Sequence, residues 1–415
     1  MSTKLAVLTI INYVTRNIND NKIVLALFLD IMKAFDSVNH EILFKKLENA
    51  GVRGVVLCWF KSYLLNRKQR VFVNGSLSDN LCAITLGILQ GSILGVILFL
   101  VMINDIGNCC PELFNIIFAD DDSALVESTS LEGLIDKAND GLNKLVQWYS
   151  SNKLAIHPAK SKGMIFQASN KFNIPTYNDS PYLPIFLNLN NVGETDITKI
   201  TPIKLVPNAE EKTIKVLGIY LDDKLNFKQH INVVHAKISK AMYSLNQMKH
   251  FLDGFHLKLL FSAYLKSHLD YADIFYCLCN KTTLKPLEMV YKKAIRILSG
   301  AGYRDHTKPL FIHHNILPIK ENSDFNILKI MFRRDQNSLP KCLNDFWRRN
   351  IDVSGRGGRN ADNFYQESIN FNYLEKHPFF YFPKLFNELP NNIKCLESEK
   401  EFNKQAKAWL MDNLD

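Results

Sequence analysis

Residues 114–126 read Phe114-Asn115-Ile116-Ile117-Phe118-Ala119-Asp120-Asp121-Asp122-Ser123-Ala124-Leu125-Val126, an apolar run broken by three consecutive carboxylates. The flanking residues suit buried strands, so the stretch predicts a hairpin with Asp120 to Asp122 at its tip. Adjacent acids in a strand core lose hydration and repel one another, and a bound dication is the usual compensation. An acidic turn between two strands accounts for the same residues, since Asp is a common turn former. A site needs further groups from elsewhere in the chain.

Those groups lie upstream. Residues 24–30, Val24-Leu25-Ala26-Leu27-Phe28-Leu29-Asp30, form a continuous apolar run ending in a single acid, the pattern of a buried strand that delivers a carboxylate to the edge of a core. Paired side by side, the two strands would set Asp30 against Asp120 and Asp121. Hard oxygen ligands of this kind suit magnesium, which takes one or two protein carboxylates together with substrate phosphates. Two such ions about 3.5 to 4 Å apart would serve an in-line phosphoryl displacement.

Bulk properties fit without adding specificity. With 415 residues, 47% of them hydrophobic, the chain can bury a large core and should divide into two or three domains. Its net charge of +9 favours a polyanionic partner, although ordinary surface solubility accounts for it equally well. The eight cysteines, with Cys109 beside Cys110 and Cys277 near Cys279, show no zinc-finger spacing and point to a reduced, intracellular protein. No segment reaches the length of a membrane span; the apolar run Leu94 to Ile103 is about half of one and reads as a core helix.

In chain order, residues 4–17 carry apolar residues at helical spacing. After Asp36, Leu43, Leu47 and Ala50 share a helical face, with Ser37 or Asn39 as N-cap and Gly51 as the stop; Val56, Trp59, Phe60, Tyr63 and Leu64 repeat the pattern. Arg67 to Arg70 form a basic loop. In Gly87-Ile88-Leu89-Gln90-Gly91-Ser92 glycines near Gln90 leave the backbone free for close approach ahead of a helix. Leu131 to Tyr149 predicts a long amphipathic helix, and residues 168–212 read as a strand pair on an extended loop. From Asn226 onward helical patterns with scattered lysines dominate, and Ser354 to Arg359 reads as a flexible basic linker.

The string Phe28-Leu29-Asp30-Ile31-Met32-Lys33-Ala34-Phe35-Asp36, the block Gly87 to Gly95 and Phe118-Ala119-Asp120-Asp121 together resemble successive blocks of the reverse transcriptases of non-LTR retrotransposons, especially the jockey-like group. Each block is weak alone, and their order and spacing are specific. The resemblance implies an α+β fold: a right-hand polymerase palm, an antiparallel sheet packed on helices, with a helical thumb and a mixed C-terminal region. It divides the chain into a palm with residual fingers at 1–166, a strand-rich insert with a primer-grip-like hairpin at 167–223, a thumb at 224–299 and a C-terminal region at 300–415. The activity implied is RNA-directed DNA synthesis with Mg2+, or Mn2+, held by Asp30, Asp120 and Asp121, on an RNA template, a DNA primer and deoxynucleoside triphosphates. The alternative is an inactive remnant that at most binds nucleic acid.

By the same resemblance, Phe35 lies beneath the nucleotide sugar and excludes a ribose 2′-hydroxyl. Gln90, Gly91 and Ser92 position template and nucleotide, Lys160 donates a proton to departing pyrophosphate, and Gly218 belongs to the hairpin holding the primer terminus. Several positions depart from the family pattern: Leu89 and Val96 replace prolines, His157 replaces Asn, Phe386 replaces Trp, and Asp122 stands where Thr is typical, as a bystander or a source of repulsion. The family's basic fingers sequence does not precede the first helix, so the chain reads as an N-terminally truncated example, placed in the nucleus or cytoplasm.

Overall fold

Strand β1 (Ile23–Asp30) is apolar at every position but its last and is buried on both faces for most of its length, as expected of a strand covered on two sides. It is the middle strand of a five-stranded sheet in the order β5-β4-β1-β3-β2, where β2 is Phe114–Phe118, β3 Asp121–Ser128, β4 Lys162–Phe166 and β5 Lys204–Val206. All pairings are antiparallel except that of β5 with β4. The computed structural model describes residues 2–168, 171–177, 180–181, 183–188, 200–206, 211–355 and 360–414.

The sheet belongs to one of two compact units, Lys22–Glu211; the other comprises Met1–Asn21 and Lys212–Asp415. In the sheet unit, α5 (Leu131–Ser151) turns Leu134, Ala138, Leu142, Leu145 and Tyr149 to one buried face against the sheet. Each such leucine contributes about 1.5 to 3 kcal/mol by leaving water. Of the two cap candidates, Asn39 is the one used: its side-chain oxygen accepts the Ile42 N–H at 3.1 Å to start α2 (His40–Asn49), and Gly51, at φ 91°, follows the helix end. Helix α3 (Gly54–Leu64) forms as its spacing predicts, and of the expected face Leu64 is buried and Phe60 and Tyr63 pack partly against the core, but Val56 and Trp59 do not. Leu57 and Leu64 are covered, whereas Val56 and Trp59 are more than half exposed. Helix α4 (Ile93–Ile103) is capped by Ser92 and buries Leu98, Phe99 and Met102.

These units differ from the fourfold division read from sequence. Residues 204–206, expected in a strand-rich insert, extend the main sheet by pairing with β4. Helix α1 (Thr3–Asn19), expected with the palm, is tied into the second unit: Lys4 pairs with the buried Asp273 and Arg16 with Glu367. Within the expected loop, Phe186–Asn188 pairs with Ile200–Pro202, while residues 189–199 lie outside the described residues.

The second unit is mainly helical, built on α6 (Lys228–Met248), α7 (Gly254–Phe261) and α8 (Lys281–Ser299), with α6 and α8 packed together. A short hairpin, Ile214–Val216 with Ile219–Leu221, precedes them. The region after residue 300, expected to be mixed, is helical among its described residues, apart from a single bridge between Arg349 and Phe364. Of the expected basic linker, Arg356, Gly357, Gly358 and Arg359 lie outside the described residues. Among the described residues no helix is long and apolar enough to cross a membrane.

Candidate active site

The antiparallel register of β1 and β3 sets Asp30 opposite Asp121. Directly opposed residues share a face of the sheet with Cβ atoms about 4.5 to 5.5 Å apart, so the two carboxylates are neighbours. Asp120 occupies the turn between β2 and β3, beside Ala119, whose φ of 53° is unusual for a residue with a side chain. Asp121 feels the other two acids. Burial, then the charges of Asp120 and Asp30, hold the Asp121 carboxyl above its ordinary value.

Backbone contacts fix the end of β1. The Asp30 carbonyl accepts the His157 N–H at 2.7 Å, and the Asp30 N–H points to the Ser161 hydroxyl oxygen at 3.4 Å. Ser161 is fully buried and its hydroxyl donates to the His157 carbonyl at 3.0 Å. The turn ahead of β4 thereby clamps the acid-bearing strand end. Lys160, in the same turn, places Nζ 3.4 Å from Asp30 Oδ2. Its side chain is 65% exposed, so this pair adds little stability and leaves the amine free to move.

The donors fit a hard divalent ion: carboxylate oxygens only, close enough to repel, with no competing thiolate or imidazole among them. Among the described residues no group of three or more His, Cys, Asp or Glu is gathered closely enough to hold a metal ion by itself, so substrate phosphates and water would have to complete any shell on these acids. An open carboxylate set of this kind is what magnesium takes when phosphate oxygens and water complete its shell.

The glycine-containing loop is docked beside the same strand end. The Gly87 N–H donates to the Val38 carbonyl and the Ile88 N–H to the Phe35 carbonyl, both at 2.8 Å, while His40 Nε2–H donates to the Gly87 carbonyl at 2.7 Å. A Cβ on Gly87 would lie 2.8 Å from the Asp36 carbonyl oxygen, at a φ of +87°, so only glycine fits. Phe35 is half-buried and stacks on Phe99 of α4, ring centroids 5.0 Å apart. Gln90 and Gly91 are exposed at the loop apex. The Ser92 hydroxyl is committed to structure, accepting the Gly95 N–H and donating to the Leu89 carbonyl, each at 2.9 Å.

Asp122 is not at the hairpin tip. It is the second residue of β3, paired with Leu29 and Ile117, and is 2% exposed. Successive strand residues point to opposite faces, so Asp122 faces away from Asp121, toward α5. There its Oδ2 accepts the Tyr149 hydroxyl at 2.9 Å, and burial pushes its pKa up to about 6 despite that bond. Alternation could have placed it; the Tyr149 donor and the Ser161 clamp carry no local sequence signal. Gly218 belongs to the helical unit, with φ +81° beside Tyr271, whose hydroxyl donates to the Leu217 carbonyl at 2.6 Å.

Comparison with known proteins identifies the family. Residues 8–221 match the model of the reverse transcriptase (RNA-dependent DNA polymerase) family. The chain is 24% identical over 312 residues to the RNA-directed DNA polymerase from mobile element jockey of Drosophila melanogaster, covering 72% of this chain and 31% of that protein. It is 23% identical over 291 residues to the probable RNA-directed DNA polymerase from transposon X-element of the same organism, covering 67% and 28%. It is 26% identical over 247 residues to that from transposon BS, covering 56% and 24%. The chain thus spans about a third or less of the length of these curated relatives. With a family match over more than half its length, carrying both acid-bearing strands, the chain belongs to the reverse transcriptase family and is of the jockey-like, non-LTR kind.

Proposed function

We propose that the chain catalyses RNA-directed DNA synthesis, adding deoxynucleotides to a primer 3′-hydroxyl on an RNA template. The observation that carries this reading is the register of β1 and β3, which opposes Asp30 to Asp121 with Asp120 in the adjoining turn. The sheet unit would then serve as the palm, α6 to α8 as the thumb, and the hairpin around Gly218 as the primer grip.

Asp30, Asp120 and Asp121 would hold the divalent ions, magnesium or manganese. When bound, these supply charge stabilisation and activation of the attacking oxygen. The chain's own residues do the rest. The Ser161 and His157 contacts hold the end of β1 so that Asp30 does not drift from Asp121. Phe35, braced by Phe99, offers a flat apolar wall to the nucleotide sugar. The exposed Gln90 and Gly91 backbone approaches the templating pair, with Ser92 securing the following helix. Lys160, exposed and within reach of the acids, donates the proton that pyrophosphate takes up on leaving.

The test is primer extension by the purified chain with an annealed RNA template, deoxynucleotides and magnesium. Extension that is lost in Asp120→Ala supports the reading. Binding of the primer-template without extension overturns it and leaves a nucleic-acid-binding remnant.

A further inference from the structure

The helical unit holds a cleft that the reaction above does not use. It lies between the C-terminal turns of α6 and α8 and the start of α7, and its volume is about 780 Å³, within the usual range for a site that takes a small molecule or a segment of polymer. Lys249, His250, Lys293 and Arg296 line it, and no carboxylate does. The nearest acids in sequence are already engaged by donors. Asp253 accepts the His256 N–H at 2.9 Å, and Asp305 accepts the Gly302 N–H at 2.7 Å. Arg296 Nε also donates to the Asp305 carbonyl at 2.9 Å, and with four basic side chains and no carboxylate in its lining the cleft presents a positive concavity.

Two aromatic rings complete it. Tyr243 on α6 is 66% exposed and Tyr303, beyond the end of α8, is 76% exposed, and both line the cleft. Exposed aromatic faces beside several cations are the elements that bind single-stranded nucleic acid, where bases stack on rings and phosphates meet lysine and arginine. A duplex keeps its base faces stacked inside and offers these tyrosines nothing to stack on. The usual helix-end objection, that carbonyls at a C-terminus repel an anion, is weakened here. The Gly300 and Ala301 N–H groups return to the Ile297 and Arg296 carbonyls at 3.2 and 2.9 Å, in a glycine-closed helix end.

We propose that this cleft binds a short single-stranded stretch of nucleic acid, RNA or DNA, with one or two bases stacked on Tyr243 and Tyr303 and the flanking phosphates held by Lys249, Lys293 and Arg296. The cleft shares no residue with the carboxylate site, and its test is independent of synthesis.

The experiment measures fluorescence anisotropy of a labelled mixed-sequence single-stranded oligonucleotide, as RNA and as DNA, and of a blunt duplex, with the full chain in EDTA and no nucleotides. Tyr243→Ala with Tyr303→Ala is expected to weaken single-strand binding by about 10-fold or more while leaving duplex binding nearly unchanged. Lys249→Gln with Lys293→Gln should weaken it similarly and reduce the slope of log affinity against log salt by about 1.4. The RNA and DNA arms show which strand is preferred. Lys281→Gln with Lys285→Gln, the same charge change at the other end of α8, is the control. The proposal is overturned if the control pair weakens single-strand binding as much as the cleft pair, or if the tyrosine variant loses duplex binding alone. The six substituted side chains, Tyr243, Tyr303, Lys249, Lys293, Lys281 and Lys285, are all exposed, and the half-buried Arg296 is left intact, so the variants keep the fold. Loss of extension in Asp120→Ala with binding here retained would separate the two readings.

Discussion

The Tyr149 hydroxyl reaches from α5 to β3 and donates to the Asp122 carboxylate at 2.9 Å, directly behind the strand position that carries Asp121. A buried carboxylate one residue from the candidate site is thus held by a single neutral donor, and its second oxygen has no partner. Burial raises its folded pKa to about 6 from an ordinary 3.8. A raised folded value means the favourable protonated form is fully present below about pH 3.8, and stability is lost as pH rises through 6. The loss amounts to about 3 kcal/mol by pH 8. Asp122→Asn removes the charge and keeps an acceptor for Tyr149. It should stabilise the chain by up to about 3 kcal/mol at pH 8 and by clearly less at pH 5, measured by urea denaturation. An equal gain at both pH values would rule the buried charge out as the cause.

Tyr149→Phe tests the other partner. With Asp122 ionised, removing its one donor strands a buried charge, and the expected cost at pH 8 is about 1.5 to 3 kcal/mol. In the Asp122→Asn background the acceptor is neutral and the same substitution should cost about 0.5 to 1.5 kcal/mol. Equal costs in the two backgrounds would mean that Tyr149 acts through packing alone.

Asp121 combines a stability cost with the metal-binding role proposed for it. Its carboxyl is pushed up by burial and by Asp120 and Asp30, so the charge there is unfavourable in the bare chain. Asp121→Asn should raise the melting temperature in EDTA. Magnesium should raise that of the unaltered chain by binding only the folded state, and should do so far less in the variant. Loss of a ligand worth several kcal/mol of transition-state stabilisation should cut primer extension by at least about 100-fold. A variant that melts lower in EDTA would contradict the repulsion inferred from the register.

Much of this site was legible because strands that bury both faces read as apolar runs, and a carboxylate at the end of such a run marks the edge of the core. Asp30 and Asp121 announce themselves in that way. The strand period of two, applied at Asp121, turns Asp122 to the opposite face and away from the tip. What sequence could not supply were long-range contacts. The Lys4 pairing with Asp273 spans 269 positions, and together with packing on the helix Pro378–Asn387 it ties α1 to the helical unit. The buried face of α3 is likewise set by its neighbours; its apolar residues run nearly all round, so periodicity alone gave no direction at Val56 and Trp59.

Two glycines of the docked loop should respond differently to the same change. Gly87 and Gly91 both have positive φ, at +87° and +85°, yet a Cβ on Gly87 meets the Asp36 carbonyl at 2.8 Å whereas Gly91 faces open space. Gly91→Ala should cost about 1 kcal/mol from backbone strain, and Gly87→Ala about 3 kcal/mol or more because rigid backbone must move as well. Only Gly87→Ala should disturb the register of the loop on residues 35–40. Urea denaturation gives the ranking, and similar losses for both would refute the close approach at Asp36.

Phe35 carries the last prediction, which concerns substrate choice. Its ring is stacked on Phe99 at 5.0 Å with an interplanar angle of 19°, and its carbonyl accepts the Ile88 N–H, so both ends of the residue are fixed. If Phe35 lies beneath the sugar as proposed, a side chain braced in this way would not swing aside for a 2′-hydroxyl. Phe35→Val keeps an apolar contact but shortens the wall, so ribonucleotide incorporation should rise relative to deoxynucleotide incorporation by about 10-fold or more. Phe99→Leu, which removes the brace and leaves the wall, should relax discrimination by a smaller factor. Competitive single-nucleotide addition with matched ribo- and deoxynucleotides measures both ratios. If Phe35→Val lowers both incorporations equally and leaves their ratio unchanged, Phe35 is a core residue of α4 packing and the wall lies elsewhere.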